Sequence, residues 1–313
     1  MATRSIVHES TAALVRQNLA GRKSSVFDRV VAAGLLISLL SALAILVVLL
    51  ADIIQKGLPV LTDRGVEFIT GRLNPEAADA GILQGVMGSL ALTGFVLVIA
   101  FPTGVAAAIY LEEYARDTRM TRFIQANIRN LAGVPSIVYG LLGLAVFVKL
   151  LSGVTGGRTV ISGGLTLGVL VLPIMIITTS EALRAVPQGL REASYGVGAT
   201  KWETIRHQVL PVALPAILTG TVLTIARAFG ESAPLLLAGA RLSLFFSNSS
   251  DAGLWSLVSD EPYTALPIVV YNWARQPQQE FVELTAAAIL VLLILLLTVN
   301  AVAILLRDRY ERR

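Results

Sequence analysis

The chain has 313 residues, 55% hydrophobic and 15% charged, with a mean hydropathy of +0.72 and a formal net charge of +4. A soluble domain of this size is not so apolar, and the composition defines an all-α polytopic membrane protein. The absence of cysteine excludes disulfides and thiol chemistry, the two histidines His8 and His207 build neither a metal centre nor a triad, and no G-x-x-x-x-G-K-[ST] phosphate loop occurs.

Residues 1–25 read as a cytoplasmic segment, because the apolar run that follows is too long for a cleavable signal peptide and lacks a small-residue cleavage site. Apolar runs of spanning length then predict six transmembrane helices: Val26 to Ile54, Val86 to Leu111, Ile124 to Leu151, Val160 to Leu183, Val209 to Gly239 and Phe281 to Leu306. The organisation expected is a first span over 26–54, an extracytoplasmic loop over 55–85, a transmembrane domain over 86–306 containing a polar loop at 187–211, and a cytoplasmic tail over 307–313.

Lysine and arginine set the orientation. Four fall in each of 1–25, 112–129, 181–206 and 307–313, sixteen in all, whereas 52–82, 152–159 and 240–280 together hold six. Both termini are therefore expected in the cytoplasm, and six spans satisfy that parity. The basic excess reads as topology, and nothing points to nucleic acid.

Pro102, Pro135, Pro173, Pro215 and Pro234 fall inside or near spans two to five, where each removes a backbone donor and permits a kink or local unwinding, as in the broken helices that line transporter cavities. Kinks of this kind also occur in ordinary membrane bundles. Gly164 and Gly168, in small-xxx-small spacing, read as close helix packing, Glu112 and Glu113 as a solvated loop, and Asn127 and Asn130 as interhelical hydrogen-bonders. Lys149 reads as snorkelling to the interface.

The loop Pro187 to Leu210 is too polar for lipid. Pro187 suits the start of a short helix over Gln188 to Tyr195, Gly196 and Gly198 supply a sharp turn, and Thr200-Lys201-Trp202-Glu203 has the form of a capping box opening a second helix. In the fifth span Arg227 and Glu231 lie one helical turn apart, on one face. A charge at membrane depth costs about 2.5 to 3.5 kcal/mol on insertion scales, which marks the pair as a functional candidate. A guanidinium there balances an anion crossing a low-dielectric passage, and Glu231 pairs with it when no anion is present. Thr224 and Ser232 add hydroxyls near that stripe. A static salt bridge between packed helices is the alternative reading.

Glu192-Ala193-Ser194, Gly198 and Leu210-Pro211 resemble the EAA loop of ABC importer permeases, whose pattern runs E-A-A, three residues, G, nine residues, I-x-L-P. Ser194 replaces the second alanine and Gln208 stands where isoleucine is usual. Asn130 to Gly140, Ile225 to Leu236, Thr264 to Pro267 and Tyr271 to Ala274 resemble the PstA-type permeases of phosphate ABC importers, and the resemblance covers residues 85–306. It implies a type I, MetI-like bundle with a cytoplasmic coupling helix pair in a bacterial inner membrane. It also implies an inorganic phosphate importer in which this subunit performs no catalysis and binds no cofactor or metal. Glu192, Ala193, Gly198, Thr200 and Trp202 would meet a homodimeric, PstB-like ATPase holding the ATP and magnesium, although Trp202 also suits an interfacial anchor. A PstC-like second permease and a PstS-like extracytoplasmic phosphate-binding protein would complete the machine, with Arg227, Glu231, Thr224 and Ser232 at the translocation gate. Sulfate, molybdate or phosphonate permeases, a self-sufficient secondary transporter and a membrane enzyme are the rival readings.

Overall fold

The computed structural model describes residues 26–241 and 263–311. The expected N-terminal cytoplasmic segment and the final arginines Arg312 and Arg313 lie outside them. The chain divides into two compact units at Asp52 and Ile53. The first, as far as it is described, is the larger part of helix α1 (Val26–Asp63), whose apolar side chains over residues 26–49 are exposed.

In the second unit, α2 (Gly65–Thr70) and a 3-10 turn at Ala77–Asp79 occupy much of the stretch expected to be a loop. Arg64 ties them together, its guanidinium donating to the Ala77 and Ala80 carbonyls at 3.1 and 2.9 Å. Helix α3 (Leu83–Ile109) follows and widens into a π turn at Tyr110–Tyr114. Helices α4 (Arg119–Ala132), α5 (Ser136–Gly143) and α6 (Ser152–Thr155) lead to α7 (Val160–Arg184). The polar loop forms α8 (Gln188–Gly196) and α9 (Lys201–Thr204), and a π turn at Ile205–Val209 joins α9 to α10 (Leu210–Gly230). Short helices α11 (Ala233–Leu237) and α12 (Leu266–Trp273) precede α13 (Gln279–Glu311).

Among the described residues, five helices are long and apolar enough to cross a membrane, or six if the bent pair at 119–150 counts as one span. That pair corrects the third expected span. Instead of one helix over Ile124 to Leu151, α4 and the segment 136–150 meet at 101°. Gly133 ends α4, and Pro135 pushes Val134 away from helical geometry and cannot donate into a continuing helix. Pro102, Pro173 and Pro215 lie inside helices that run on past them, so the expected local unwinding occurs near Pro135 and Pro234 alone.

Three apolar clusters form among the described residues of this unit. At the loop-bearing end, Ala108, Met175, Leu183, Val209 and Ile217 pack α3 against α7 and α10. Leu92, Val96, Leu167, Val171, Ala228 and Ile268 form the middle. At the far end Trp273 lies between Phe68 and Phe281, with ring centroids 6.3 and 5.9 Å away, tilted as aromatic quadrupoles favour. Gly164 takes the Phe95 ring of α3, so a side chain there would collide, but a Cβ on Gly168 would meet nothing within 4 Å. The expected packing motif is therefore a single contact at Gly164.

Candidate functional site

Helices α8 and α9 make a knob at one end of the bundle, built largely by local chemistry. Pro187 precedes α8, and Gly198 takes φ +85°, a left-handed conformation in which any Cβ is strained. Thr200 and Glu203 close the capping box: the Glu203 backbone N–H donates to the Thr200 hydroxyl at 3.4 Å, and the Thr200 N–H donates to the Glu203 carboxylate at 2.8 Å. Ser194, the departure from E-A-A, joins the two helices through a 2.9 Å hydrogen bond with the Thr204 hydroxyl. Glu192, Ala193, Gly198, Thr200 and Trp202 are all exposed, as is Val197 at 86%. Thr200→Ala is expected to destabilise the knob by about 1 kcal/mol through loss of the cap, read as faster hydrogen exchange at residues 200–204 with the remainder of the chain unchanged.

An ion pair and a cation–π contact fasten this knob to the bundle, and a second ion pair joins α7 to the turn that ends α3. The Glu112 and Glu113 carboxylates, expected in a solvated loop, sit on the π turn that ends α3. Arg184, the last residue of α7, takes Glu112 in a fork of 2.7 and 2.8 Å. Arg191 of α8 takes Glu113 at 2.7 Å, with side-chain exposures of only 11% and 7%. Its remaining donors reach the Val186 and Leu183 carbonyls at 2.8 and 2.9 Å, the latter near the end of α7. Lys201 of α9 stands over the Tyr114 ring, 5.1 Å from its centre, in cation–π geometry. The turn after α3 thus touches both knob helices and α7.

The second constellation lies where α10 stops. Arg227 is in the last turn of α10, where a positive charge suits the helix dipole, but Glu231 is outside the helix, in extended geometry with ψ 118°. The expected continuous span to Gly239 is therefore broken at 230–232. Pro234 opens α11 and seats against Gly140 of α5, where a Cβ would lie 2.7 Å from the Pro234 backbone. The pair still forms, Arg227 Nε to Glu231 Oε1, at 3.4 Å. The Arg227 side chain is 41% exposed and that of Glu231 18%. The Tyr139 ring on α5 lies within reach of the Arg227 charge, and its hydroxyl donates to the Leu131 carbonyl at 2.8 Å.

Thr224 does not join them. It is buried and its hydroxyl donates to the Gly220 carbonyl at 2.8 Å, one turn back in its own helix. Ser232 is partly exposed at the N-terminal boundary of α11, without a capping bond from its side chain. Asn127 likewise donates within α4, to Phe123 at 2.8 Å, and not between helices. Among the described residues no group of three or more His, Asp or Glu side chains could hold a metal.

Stacked membrane helices, a polar knob clamped to their ends and a charge pair at a helix break define a multi-pass transport subunit of the ABC permease class. Residues 100–313 match the family described as binding-protein-dependent transport system inner membrane component. The chain is 35% identical to the probable ABC transporter permease protein YqgI of Bacillus subtilis, over 82% of this chain and 88% of that one. It is 34% identical to the phosphate transport system permease protein PstA 1 of Mycobacterium tuberculosis, over 88% and 87% of the two chains. A crystallised bacterial alginate ABC transporter has a chain of similar fold, with a TM-score of 0.60 at 15% identity over 91% of this chain and 95% of that one. An inward-facing MetNI methionine ABC transporter gives 0.54 at 20% identity, over 74% and 94%. The chain belongs to the family of binding-protein-dependent ABC transporter permeases.

Proposed function

We propose that this permease carries inorganic phosphate inward in an ATP-driven importer, as one of two unlike membrane subunits. The observation that carries the reading is Arg227: a half-exposed guanidinium at a break in a membrane helix, held only loosely by Glu231. The chain's likeness to proteins named as phosphate transport permeases supports phosphate as the cargo. A tetrahedral oxyanion offers several acceptors to the planar donors of Arg227, and its charge replaces that of Glu231 as the partner. In low dielectric an uncompensated phosphate would face a prohibitive desolvation cost.

The knob is the proposed contact for a PstB-like ATPase pair, with Glu192, Ala193, Gly198, Thr200 and Trp202 on its open face. A PstC-like permease and a PstS-like phosphate-binding protein are the proposed partners on the other sides. The concentration of basic residues at the knob end supports placing that end, and both termini, in the cytoplasm of a bacterial inner membrane. Movement of the knob reaches α10 directly through the π turn at Ile205–Val209, and reaches α3 and α7 through the Arg191 clamp.

Uptake competition tests the cargo. In proteoliposomes containing the whole complex and an internal ATP supply, unlabelled phosphate is expected to suppress uptake of labelled phosphate while equimolar sulfate leaves it unchanged. Suppression by sulfate, molybdate or a phosphonate in preference to phosphate would sink the reading.

A further inference from the structure

A long groove runs between α3, α10 and the last turns of α13, with a volume of about 1200 Å³. Its inner surface is hydrocarbon: Phe101 and Val105 from α3, and Leu214 and Ile217 from α10, among others. Two guanidiniums also line it, Arg206 on the π turn before α10 and Arg307 near the end of α13. Because α10 leaves the knob end and α13 returns to it, both charges lie at the same mouth. From Arg206 to Thr219, the furthest lining residue along α10, the helix advances roughly 20 Å, about one leaflet of a bilayer with its headgroups.

We propose that this groove holds one anionic glycerophospholipid, its phosphate between Arg206 and Arg307 and an acyl chain along α10. The charges match that ligand. Arg206 has no ion pair among the described residues, while Arg307 holds the partly exposed Asp308 at 2.9 and 3.0 Å. The three groups leave one positive charge, the complement of one phosphodiester. The apolar walls exclude a free hydrated phosphate from the depth of the groove, whereas a lipid satisfies the basic mouth and the hydrocarbon wall together. Basic pockets between membrane helices favour anionic headgroups for the same electrostatic reason. Lipid binding there does not require phosphate to be the cargo carried past Arg227.

The chain has no cysteine, so Ala216→Cys, at an exposed position in the groove, gives a unique place for a fluorophore. The labelled chain, in the complex with which it co-purifies, is reconstituted in phosphatidylcholine containing brominated phosphatidylglycerol or brominated phosphatidylcholine. The brominated anionic lipid is expected to quench at a several-fold lower mole fraction than the zwitterionic one. That preference should vanish in an Arg206→Gln, Arg307→Gln background. A label at Leu297→Cys, on exposed α13 outside the groove, should be quenched equally by both. Equal quenching at 216, a preference that survives loss of both arginines, or no quenching by either lipid because a protein helix fills the groove, each overturns the proposal. If labelling perturbs the fold, mass spectrometry of the unlabelled complex replaces it: retained phosphatidylglycerol is expected to fall when both arginines are replaced, and an unchanged amount overturns the proposal.

Discussion

Arg227→Gln is expected to reduce phosphate uptake by roughly 100-fold or more while the complex still assembles. The expected size follows from the donors removed. Two hydrogen bonds from a guanidinium to an anion contribute about 1.5 to 3 kcal/mol each, and every 1.4 kcal/mol is roughly a factor of ten. Assembly survives because the side chain is 41% exposed and its loss leaves no packed cavity. Glutamine also leaves the Glu231 carboxylate without its partner, an added repulsion for an incoming anion. Arg227→Lys keeps the charge but loses the planar fork, and uptake between the two extremes is expected. Labelled-phosphate uptake in proteoliposomes reads all three proteins; normal uptake by Arg227→Gln would reduce the pair to a contact between packed helices.

Arg191→Met should separate ATP hydrolysis from transport. Its partner Glu113 is 7% exposed, and stranding one member of a buried pair typically costs about 3 to 5 kcal/mol. The Val186 carbonyl loses the Arg191 donor as well, and the Leu183 carbonyl is left with the Val186 N–H at 3.3 Å. The knob is then fastened by Lys201 over Tyr114, a more exposed contact, while the Arg184–Glu112 pair still holds α7 to the turn after α3. ATP hydrolysis by the complex is expected to continue while phosphate moved per ATP falls several-fold, with a lowered Tm. Adding Glu113→Leu removes the stranded charge and should recover much of the Tm, because apolar replacements of both partners are often tolerated. The coupling ratio should stay low in that double variant. If it returns with Tm, Arg191 serves stability alone.

What the sequence disclosed was local. The capping box of Thr200 and Glu203 and the left-handed turn at Gly198 involve residues within a few positions of one another, and their chemistry permits little else. The spanning helices were similarly legible from apolar length. The clamp was not, because Glu112 meets Arg184 across 72 residues and Glu113 meets Arg191 across 78. Two adjacent glutamates after an apolar run look identical whether water or a distant arginine satisfies them. The bend after α4 had a signal: Arg119, Arg122, Gln125, Asn127, Arg129 and Asn130 make α4 amphipathic, whereas spanning segments are apolar on every face. Apolar length outweighed that pattern. At Glu231 the i, i+4 spacing gave the right partner for the wrong reason, since the ion pair persists although its second member has left the helix.

The clamp at Arg191 is made entirely within one polypeptide. A surface that must become ordered when a partner arrives loses part of its binding free energy to that ordering, about 0.5 to 1.5 kcal/mol for each long side chain fixed. Here the two glutamates, the arginines and the closing carbonyls have already fixed the angle of the knob. An ATPase that docks on this face therefore meets a preorganised shape, and its association rate should depend on diffusion and charge rather than on folding of the loop.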